Sequence, residues 1–370
     1  MKRPSLSRAL RAIFLLLPVC CLPMGCGSSG NGEKPFLAIG EFAVKYLSDG
    51  VKEVTDGMGR KLVLIPRGQS APKGYDPLRV VEVPVRRAVA YSGYDVAMLK
   101  ALGVVKEVLV GVTTREEEWT ISEVTEGIRA GRIIYLGESN AIDYERLKAA
   151  RPELVMTWDQ SVIPMLDELQ IPCIITVTPV APSLDARMRF VQFLAPFFQR
   201  ETEADHYVER VRHAVETIRE KAAAVRERPK VMWGDIYEKR VMVEPGNCWV
   251  GEFVRLAGAN YLFDDVYGSA CIEISLERFL ASGRNADTLF TYRAANVGVT
   301  SKESMVQTNP AVAQIGPIRD GRVLSPLPHY AQSADRLDEI LEEVASILHP
   351  DIFPAREKQF FADLPAKESY

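Results

Sequence analysis

Aromatic and arginine side chains follow several predicted strands of this 370-residue chain, and these residue types suit ligand binding. Trp158 follows the apolar segment 154–156, and Tyr292 and Arg293 follow another at 288–290. Aromatic rings suit a large, partly apolar ligand, and a guanidinium can pair with an anionic chelate. Ligands of α/β proteins bind where strands end and helices begin, which predicts a cleft there. The predicted ligand-binding residues are Tyr91, Ser92, Trp119, Trp158, Trp233, Tyr237, Trp249, Tyr292, Arg293 and Tyr330.

Catalytic and metal-binding motifs are missing from the sequence. It contains no complete G-x-G-x-x-G, no P-loop and no G-x-S-x-G segment, and the acidic run 116–118 is typical of a solvated loop. His206 and His213 stand seven residues apart, too far to share one ion. We therefore predict no catalytic residue, no resident metal and no cofactor, with an exported hydrolase as a minor alternative. Any bound iron would arrive already chelated.

A long amphipathic helix is predicted over residues 202–228. Its apolar residues recur at steps of three and four from Ala204 to Val225, which places them on one stripe. Pro229 ends the run, because proline disfavours helical backbone in the residue before it. The helix is long enough to cross a domain and predicts a rigid connection between two bodies.

Similar segments stand on either side of this helix. Residues 143–156 and 275–290 both predict a short helix with Glu-Arg in its first turn, followed by a turn and a buried strand. Glu145 and Glu277 occupy equivalent positions in the two copies. The repetition indicates two similar α/β lobes joined by the long helix.

The N-terminus predicts export. Four basic residues precede a short apolar run, and Cys26 ends a segment that resembles a bacterial lipobox. We expect residues 1–25 to be a lipoprotein signal peptide and Cys26 to be lipidated. The further predicted divisions are a flexible tether at 26–50, an N-terminal lobe at 51–181, a connection at 182–228, a C-terminal lobe at 229–349 and a tail at 350–370.

Composition limits the partners. The formal net charge is −4 and no basic patch stands out, which argues against nucleic-acid binding. Three cysteines remain after Cys26: Cys173, Cys248 and Cys271. They allow at most one disulfide, and whether Cys248 pairs with Cys271 stays open.

The order of motifs resembles the cobalamin and iron–siderophore class of ABC-transporter substrate-binding proteins. The resemblance rests on the hairpin with Thr55-Asp56 and Gly59-Arg60, the segment 143–158, the segment 249–260 and the segment 309–323, and it spans 51–349. It implies an α/β fold with two Rossmann-like lobes joined by one long α-helix and a ligand cleft between them. A single helical connection implies limited hinge opening.

The resemblance also implies partners. In this class one acidic residue on each lobe contacts the permease, and the matching positions are Glu145 and Glu277. We expect a monomeric receptor, tethered to the membrane only through its lipid, that delivers an iron–siderophore to an ABC permease and ATPase complex. A corrinoid or haem ligand is the alternative, a small oxyanion such as molybdate is disfavoured, and a sensor without transport uses the same fold.

Overall fold

The protein is described from a computed structural model that covers residues 36–237, 240–269, 271–293, 298–354 and 356–367. The predicted signal peptide and Cys26 lie outside the described residues. Within the described part of the chain, no helix combines the length and apolar character that crossing a membrane requires.

An N-terminal sheet comes first. Its strands are β1 (Phe36–Ile39), β2 (Phe42–Tyr46), β3 (Lys52–Thr55), β4 (Lys61–Pro66) and β5 (Val80–Val83). Strands β1 to β4 pair antiparallel in sequence order, and β5 pairs parallel with β4. The predicted hairpin is therefore confirmed as β3–β4. The tether predicted at 26–50 is too long, because β1 and β2 are ordered strands whose Ile39 and Val44 are fully buried.

The first lobe holds a five-stranded parallel sheet with helices around it. Its elements are β6 (Ala88–Ala90), α1 (Gly93–Ala101), α2 (Val105–Val108), β7 (Leu109–Val112), α3 (Ser122–Arg129), β8 (Ile134–Tyr135), α4 (Tyr144–Ala150), β9 (Leu154–Thr157), α5 (Ile163–Glu168) and β10 (Cys173–Ile175). The strand order is β10-β9-β6-β7-β8. Every strand pairs parallel, as expected for strands that alternate with helices.

Two helices connect the lobes: α6 (Leu184–Phe198) and α7 (Glu201–Ala222). The long-helix prediction is confirmed, although α7 begins one residue before the predicted 202 and ends six before the predicted 228. At its end the Ala224 and Val225 N–H groups bond to the carbonyls three residues back, which tightens the final turn. The apolar stripe is buried, and α7 packs against α6 and the last helix of the second lobe.

The second lobe holds a seven-stranded mixed sheet. Its elements are β11 (Lys230–Tyr237), β12 (Arg240–Val243), α8 (Trp249–Leu256), β13 (Asn260–Tyr261), β14 (Ile272–Ile274), α9 (Leu276–Gly283), β15 (Thr288–Phe290), α10 (Lys302–Thr308), α11 (Gly316–Arg319), β16 (Arg322–Pro326), α12 (Leu337–Leu348) and β17 (Phe361–Asp363). The strand order is β14-β12-β11-β15-β16-β17, and β13 pairs with β11.

Strand β11 takes part in two pairings. Its first half pairs parallel with β13 and β15, and from Gly234 onward it pairs antiparallel with β12. A Cβ atom at Gly234 would lie 2.5 Å from the carbonyl oxygen of Met242, so the change of partner requires glycine here.

The predicted repetition is present in both lobes. Helices α4 and α9 are capped by the preceding residues Asp143 and Ser275, whose side chains accept hydrogen bonds from the backbone N–H groups of Arg146 and Arg278. Each helix is followed by a fully buried strand inside its sheet, β9 or β15. The two-lobe α/β architecture is therefore as predicted.

The C-terminal segment predicted as a tail at 350–370 is partly ordered. Strand β17 pairs antiparallel with β16, and the buried Glu343 of α12 accepts hydrogen bonds from the backbone N–H groups of Phe360 and Phe361. The segment closes one edge of the second sheet.

Asp56 joins the N-terminal sheet to the first lobe. This carboxylate is fully buried and pairs with Arg60 at 2.7 Å, and it accepts hydrogen bonds from its own hairpin and from the Ile175 N–H at 3.0 Å. Because Ile175 ends β10, Asp56 fixes the position of the residues that follow β10.

We predict that Asp56→Ala lowers the free energy of unfolding by about 3 kcal/mol or more, because it leaves the half-buried Arg60 without its ion-pair partner and the Ile175 N–H without its acceptor. Urea unfolding followed by circular dichroism measures the change. The control is Asp76→Ala, an exposed carboxylate that caps one turn, for which about 1 kcal/mol is expected. Equal losses for the two variants would contradict the role of Asp56.

Candidate functional site

A cavity of about 450 Å³ lies between the two lobes, and we call it the interlobe cavity. Residues from the β1–β2 turn, from α1, from the chain between β10 and α6, from α6 itself and from the second lobe line it. They include Ile39, Gly40, Glu41, Phe42, Tyr94, Thr176, Val177, Val180, Arg187, Phe190, Glu244, Cys248, Trp249, Ser269 and Cys271. A cavity of this size suits a small organic ligand.

The first-lobe side of the interlobe cavity is apolar and aromatic. Phe190 of α6 lies between Phe42 and Tyr94, with ring centroids 5.0 and 5.6 Å away. Val177 and Val180 are 42% and 48% exposed, although both are apolar. Exposed apolar side chains beside a cavity favour a ligand with apolar surface of its own.

Arg187 brings a positive charge to this wall. Its guanidinium carbon lies 3.9 Å from the Tyr94 ring centroid and 5.5 Å from that of Trp249, so it stacks between the lobes. Two hydrogen bonds hold α6 and α8 together: the Trp249 N–H donates to the Pro182 carbonyl at 2.9 Å, and the Leu184 N–H donates to the Glu252 carboxylate at 2.8 Å.

The second-lobe side presents a carboxyl group between two thiols. The Cys248 and Cys271 Sγ atoms lie 3.5 and 3.3 Å from the Oε2 and Oε1 atoms of Glu244. Desolvation raises the pKa of the buried Cys248 to about 12 and that of Cys271, which is exposed as a residue, to about 11, so both thiols are protonated at neutral pH and donate to Glu244. Burial also raises the pKa of Glu244. All three cysteines in the described residues are free.

Asp95 lies behind the cavity wall. Its fully buried carboxylate accepts hydrogen bonds from Ser92 at 2.7 Å and from Thr176 at 3.3 Å, while its Oδ1 atom has no hydrogen-bond partner among the described residues. Burial raises the pKa of Asp95 from 3.8 to about 6, and the two hydroxyl donors oppose the shift.

The predicted ligand-binding residues fall into separate places. Trp249 lines the interlobe cavity. The Tyr292 hydroxyl lies beside Glu244 and Cys271, where burial raises its pKa, and the Tyr330 ring packs on Phe361 at 5.0 Å. These residues share one region of the second lobe, and their contacts with a ligand remain predictions.

Arg293 occupies an internal ion pair. Its Nε and Nη2 atoms donate to both carboxylate oxygens of the buried Asp235 at 2.8 and 2.9 Å, and Nη2 also donates to the Ile236 carbonyl at 3.0 Å. The ion pair therefore joins the chain that follows β15 to strand β11 within the second lobe. Its predicted pairing with an anionic ligand would compete with these bonds.

Two predicted tryptophans are part of the core. Trp233 stacks on Phe290 at 4.3 Å between ring centroids, and the Trp119 indole N–H donates to the Thr114 carbonyl at 3.0 Å. Both are nearly fully buried, and neither lines the interlobe cavity.

The remaining predicted ligand-binding residues are three of the first lobe and Tyr237 of the second. Tyr91 is buried in a separate core cluster, and Ser92 caps α1. Trp158 is 43% exposed and outside the cavity lining. Tyr237 ends β11, and its side chain is not among those described.

The proposed docking residues are both accessible. Glu145 and Glu277 are exposed in the first turns of α4 and α9, and neither has an ion-pair partner among the described residues. A carboxylate at a helix N-terminus is also favoured by the helix dipole, so exposure alone does not assign a function. The described side chains contain no group of three or more His, Cys, Asp or Glu residues arranged to hold a metal ion.

Five residues that line the interlobe cavity were not among the ligand-binding residues predicted from the sequence: Tyr94, Arg187, Glu244, Cys248 and Cys271. Arg187 lies inside an amphipathic helix, and nothing local distinguishes it from an exposed helix arginine. One signal was available for Tyr94, which stands in the first turn of a helix after a strand, where cleft residues are expected.

Comparisons with known proteins agree with this fold. A family model described as periplasmic binding protein matches residues 88–325. The chain is similar to an uncharacterised lipoprotein of Methanocaldococcus jannaschii, with 24% identity over 330 residues that cover 84% of this chain and 77% of that protein.

Two solved structures are similar in fold. A periplasmic haem-binding protein from Pseudomonas aeruginosa has a TM-score of 0.60 and 20% identity, over 77% of this chain and 100% of that chain. A periplasmic vitamin B12 binding protein of Vibrio cholerae has a TM-score of 0.53 and 15% identity, over 72% and 98%. Identities this low support the fold and leave the ligand open.

We predict that the contribution of Asp95 to the free energy of unfolding falls as the pH rises from about 4 to above 6, because the folded chain binds the Asp95 proton more tightly than the unfolded chain. The contribution amounts to roughly 3 kcal/mol. Asp95→Asn removes it, so the variant should lose less stability across that window in urea unfolding. The control Asp185→Asn, an exposed residue of α6, should follow the wild type. Parallel pH profiles for Asp95→Asn and wild type would contradict the raised pKa.

Proposed function

Because the chain belongs to the periplasmic binding protein family, we propose that it is the extracytoplasmic receptor of an ABC importer and captures an iron chelate, a ferric siderophore. The observation that carries this proposal is the interlobe cavity, whose lining combines aromatic rings with one arginine. Aromatic rings bind the organic framework of a chelate, and the guanidinium binds its anionic oxygens. Because no metal-ligand set is present in the described residues, the chelator itself would supply the ligands of the iron.

Haem or a corrinoid is the second candidate for the ligand. It is favoured by the structural similarity to a haem-binding and a vitamin B12 binding protein. The exposed Val177 and Val180 at the cavity would contact the apolar edge of a large macrocycle. A sensor that binds the same ligand without transport would use the same cavity, and transport assays separate it from a receptor.

Tethering and docking complete the proposal. Lipidation of Cys26 would hold the receptor at the membrane, and the similar archaeal protein carries the name lipoprotein. Helices α6 and α7 pack along both lobes, so we expect closure around the ligand to be small. Glu145 and Glu277, one on each lobe, would then pair with basic residues of the two permease subunits.

We predict that one class of chelate binds saturably, and that Trp249→Ala weakens its binding several-fold, because a lost aromatic contact costs about 0.5–1.5 kcal/mol. Isothermal titration calorimetry of the full chain against ferric siderophores, haemin, cyanocobalamin and molybdate measures the affinities. Calorimetry avoids the optical absorption of these ligands.

Trp158→Ala provides the comparison, because Trp158 is a tryptophan of the first lobe outside the cavity lining. A loss confined to Trp158→Ala would place the ligand outside the interlobe cavity and contradict the proposed site. Absence of binding by every ligand in the panel would contradict the proposed cargo.

We predict that Glu145→Lys with Glu277→Lys abolishes uptake and leaves ligand affinity unchanged, because the reversed charges repel the permease arginines. Uptake of the bound chelate is measured in cells that carry the variant as their only copy. The control Glu220→Lys with Glu227→Lys changes the net charge equally at two other exposed positions. Normal uptake by the Glu145/Glu277 variant would exclude the docking role and favour a sensor.

A further inference from the structure

Arg187 differs from the other half-buried arginines of the chain. Arg60 pairs with Asp56, Arg67 with Glu153, and Arg293 with Asp235. Arg187 has no ion pair and no side-chain hydrogen bond among the described residues, although it lies at the centre of the fold between both lobes. A guanidinium carries five N–H donors, and those of Arg187 are not enclosed by protein, so they can reach a group in the interlobe cavity.

Two aromatic rings stack on the Arg187 guanidinium, which orients the group but supplies no negative charge to balance it. Tyr94 from the first lobe and Trp249 from the second contact the guanidinium through their rings, at 3.9 and 5.5 Å. Ring faces occupy the flat sides of the guanidinium and leave its N–H edge available to a group in the cavity. The side chain is therefore ordered before any ligand arrives, which lowers the entropy lost on binding.

The charges around the interlobe cavity are few. Arg187 is the one basic residue among the described lining residues, where the acidic ones are Glu41 and Glu244. Glu41 is exposed at the β1–β2 turn, and both oxygens of Glu244 accept from thiols. Asp95 lies behind the wall and is bonded to Ser92 and Thr176. The Arg187 charge acts on Glu244 and Asp95 through space and opposes the rise of their pKa, but none of these carboxylates lies within ion-pair distance of its guanidinium.

We propose that Arg187 is the anion anchor of the interlobe cavity, and that the ligand presents a planar anionic oxygen pair, a carboxylate or the phenolates of an aromatic chelator, to its guanidinium edge. The inference rests on the proposed function and narrows its cargo to anionic chelates. The guanidinium fork matches two oxygens in one plane, a geometry that a neutral amide cannot complete because it has only one acceptor oxygen. The body of the ligand then contacts Tyr94, Phe190 and Trp249.

The test uses benzoate and benzamide as probes, which have nearly the same shape and differ in charge. Both are titrated at constant ionic strength into the full chain, with tryptophan fluorescence as the readout because Trp249 contacts the guanidinium. We expect saturable binding of benzoate and at least about tenfold weaker binding of benzamide, since hydrogen bonds to charged groups exceed neutral ones. Arg187→Gln should remove the preference for benzoate.

Matched variants separate this role from a structural one. Arg189→Gln changes the same residue type two positions along α6, where the side chain bonds to Asp185 and Gln192, and it should keep the preference. Arg187→Lys retains the charge without the fork and should bind benzoate at an intermediate strength. Thermal unfolding of each variant shows that it is folded.

The inference is overturned if the folded wild type shows no saturable response to benzoate, if benzamide binds equally well, or if Arg187→Gln retains the preference. Failure of the proposed function gives a different pattern. In that case benzoate binding still depends on Arg187, while no chelate of the calorimetric panel binds.

Discussion

The burial of one apolar helix stripe against both lobes is the constraint on which the rest of the structure depends. Tyr207, Val211 and Ile218 of α7 are buried, and the Tyr207 hydroxyl donates to the Ala334 carbonyl of the second lobe at 2.7 Å. The largest core cluster runs continuously from the N-terminal sheet through α6 and α7 into the second lobe. Because separating the lobes would expose this core, the cavity between them has a defined shape, and only small closure is expected.

The same packing decides which side chains reach the cavity. Helix α6 precedes α7 and is held to α8 by one backbone hydrogen bond and one to the Glu252 carboxylate, so its N-terminal half brings Arg187 and Phe190 to the junction of the lobes. The β1–β2 turn closes another side, although it precedes the segment that matches the family. The resulting cavity is apolar toward the first lobe and polar toward the second. Such a division suits an amphiphilic ligand that has one acidic end.

The periodic features of the fold were predictable from the sequence, and pairings between distant residues were not. The stripe of α7 and the β3–β4 hairpin follow from local patterns, which hold in any tertiary setting. The strands β1 and β17 are short and have no strong local signal, and they form because β2 and β16 pair with them. Arg293 and Arg187 show why the residues of the site could not be predicted from local sequence. Arg293 follows a strand as a cleft residue should, yet the buried Asp235 binds it, whereas Arg187 is identified only by the rings of Tyr94 and Trp249.

A crystal structure of the chain with its tightest-binding chelate shows directly whether the interlobe cavity is the binding site. We predict that the chelate lies in this cavity between Phe190 and Trp249, with its acidic oxygens bonded to Arg187. A chelate bound elsewhere, such as against the exposed Trp158, would contradict it and leave only the fold and the family membership standing.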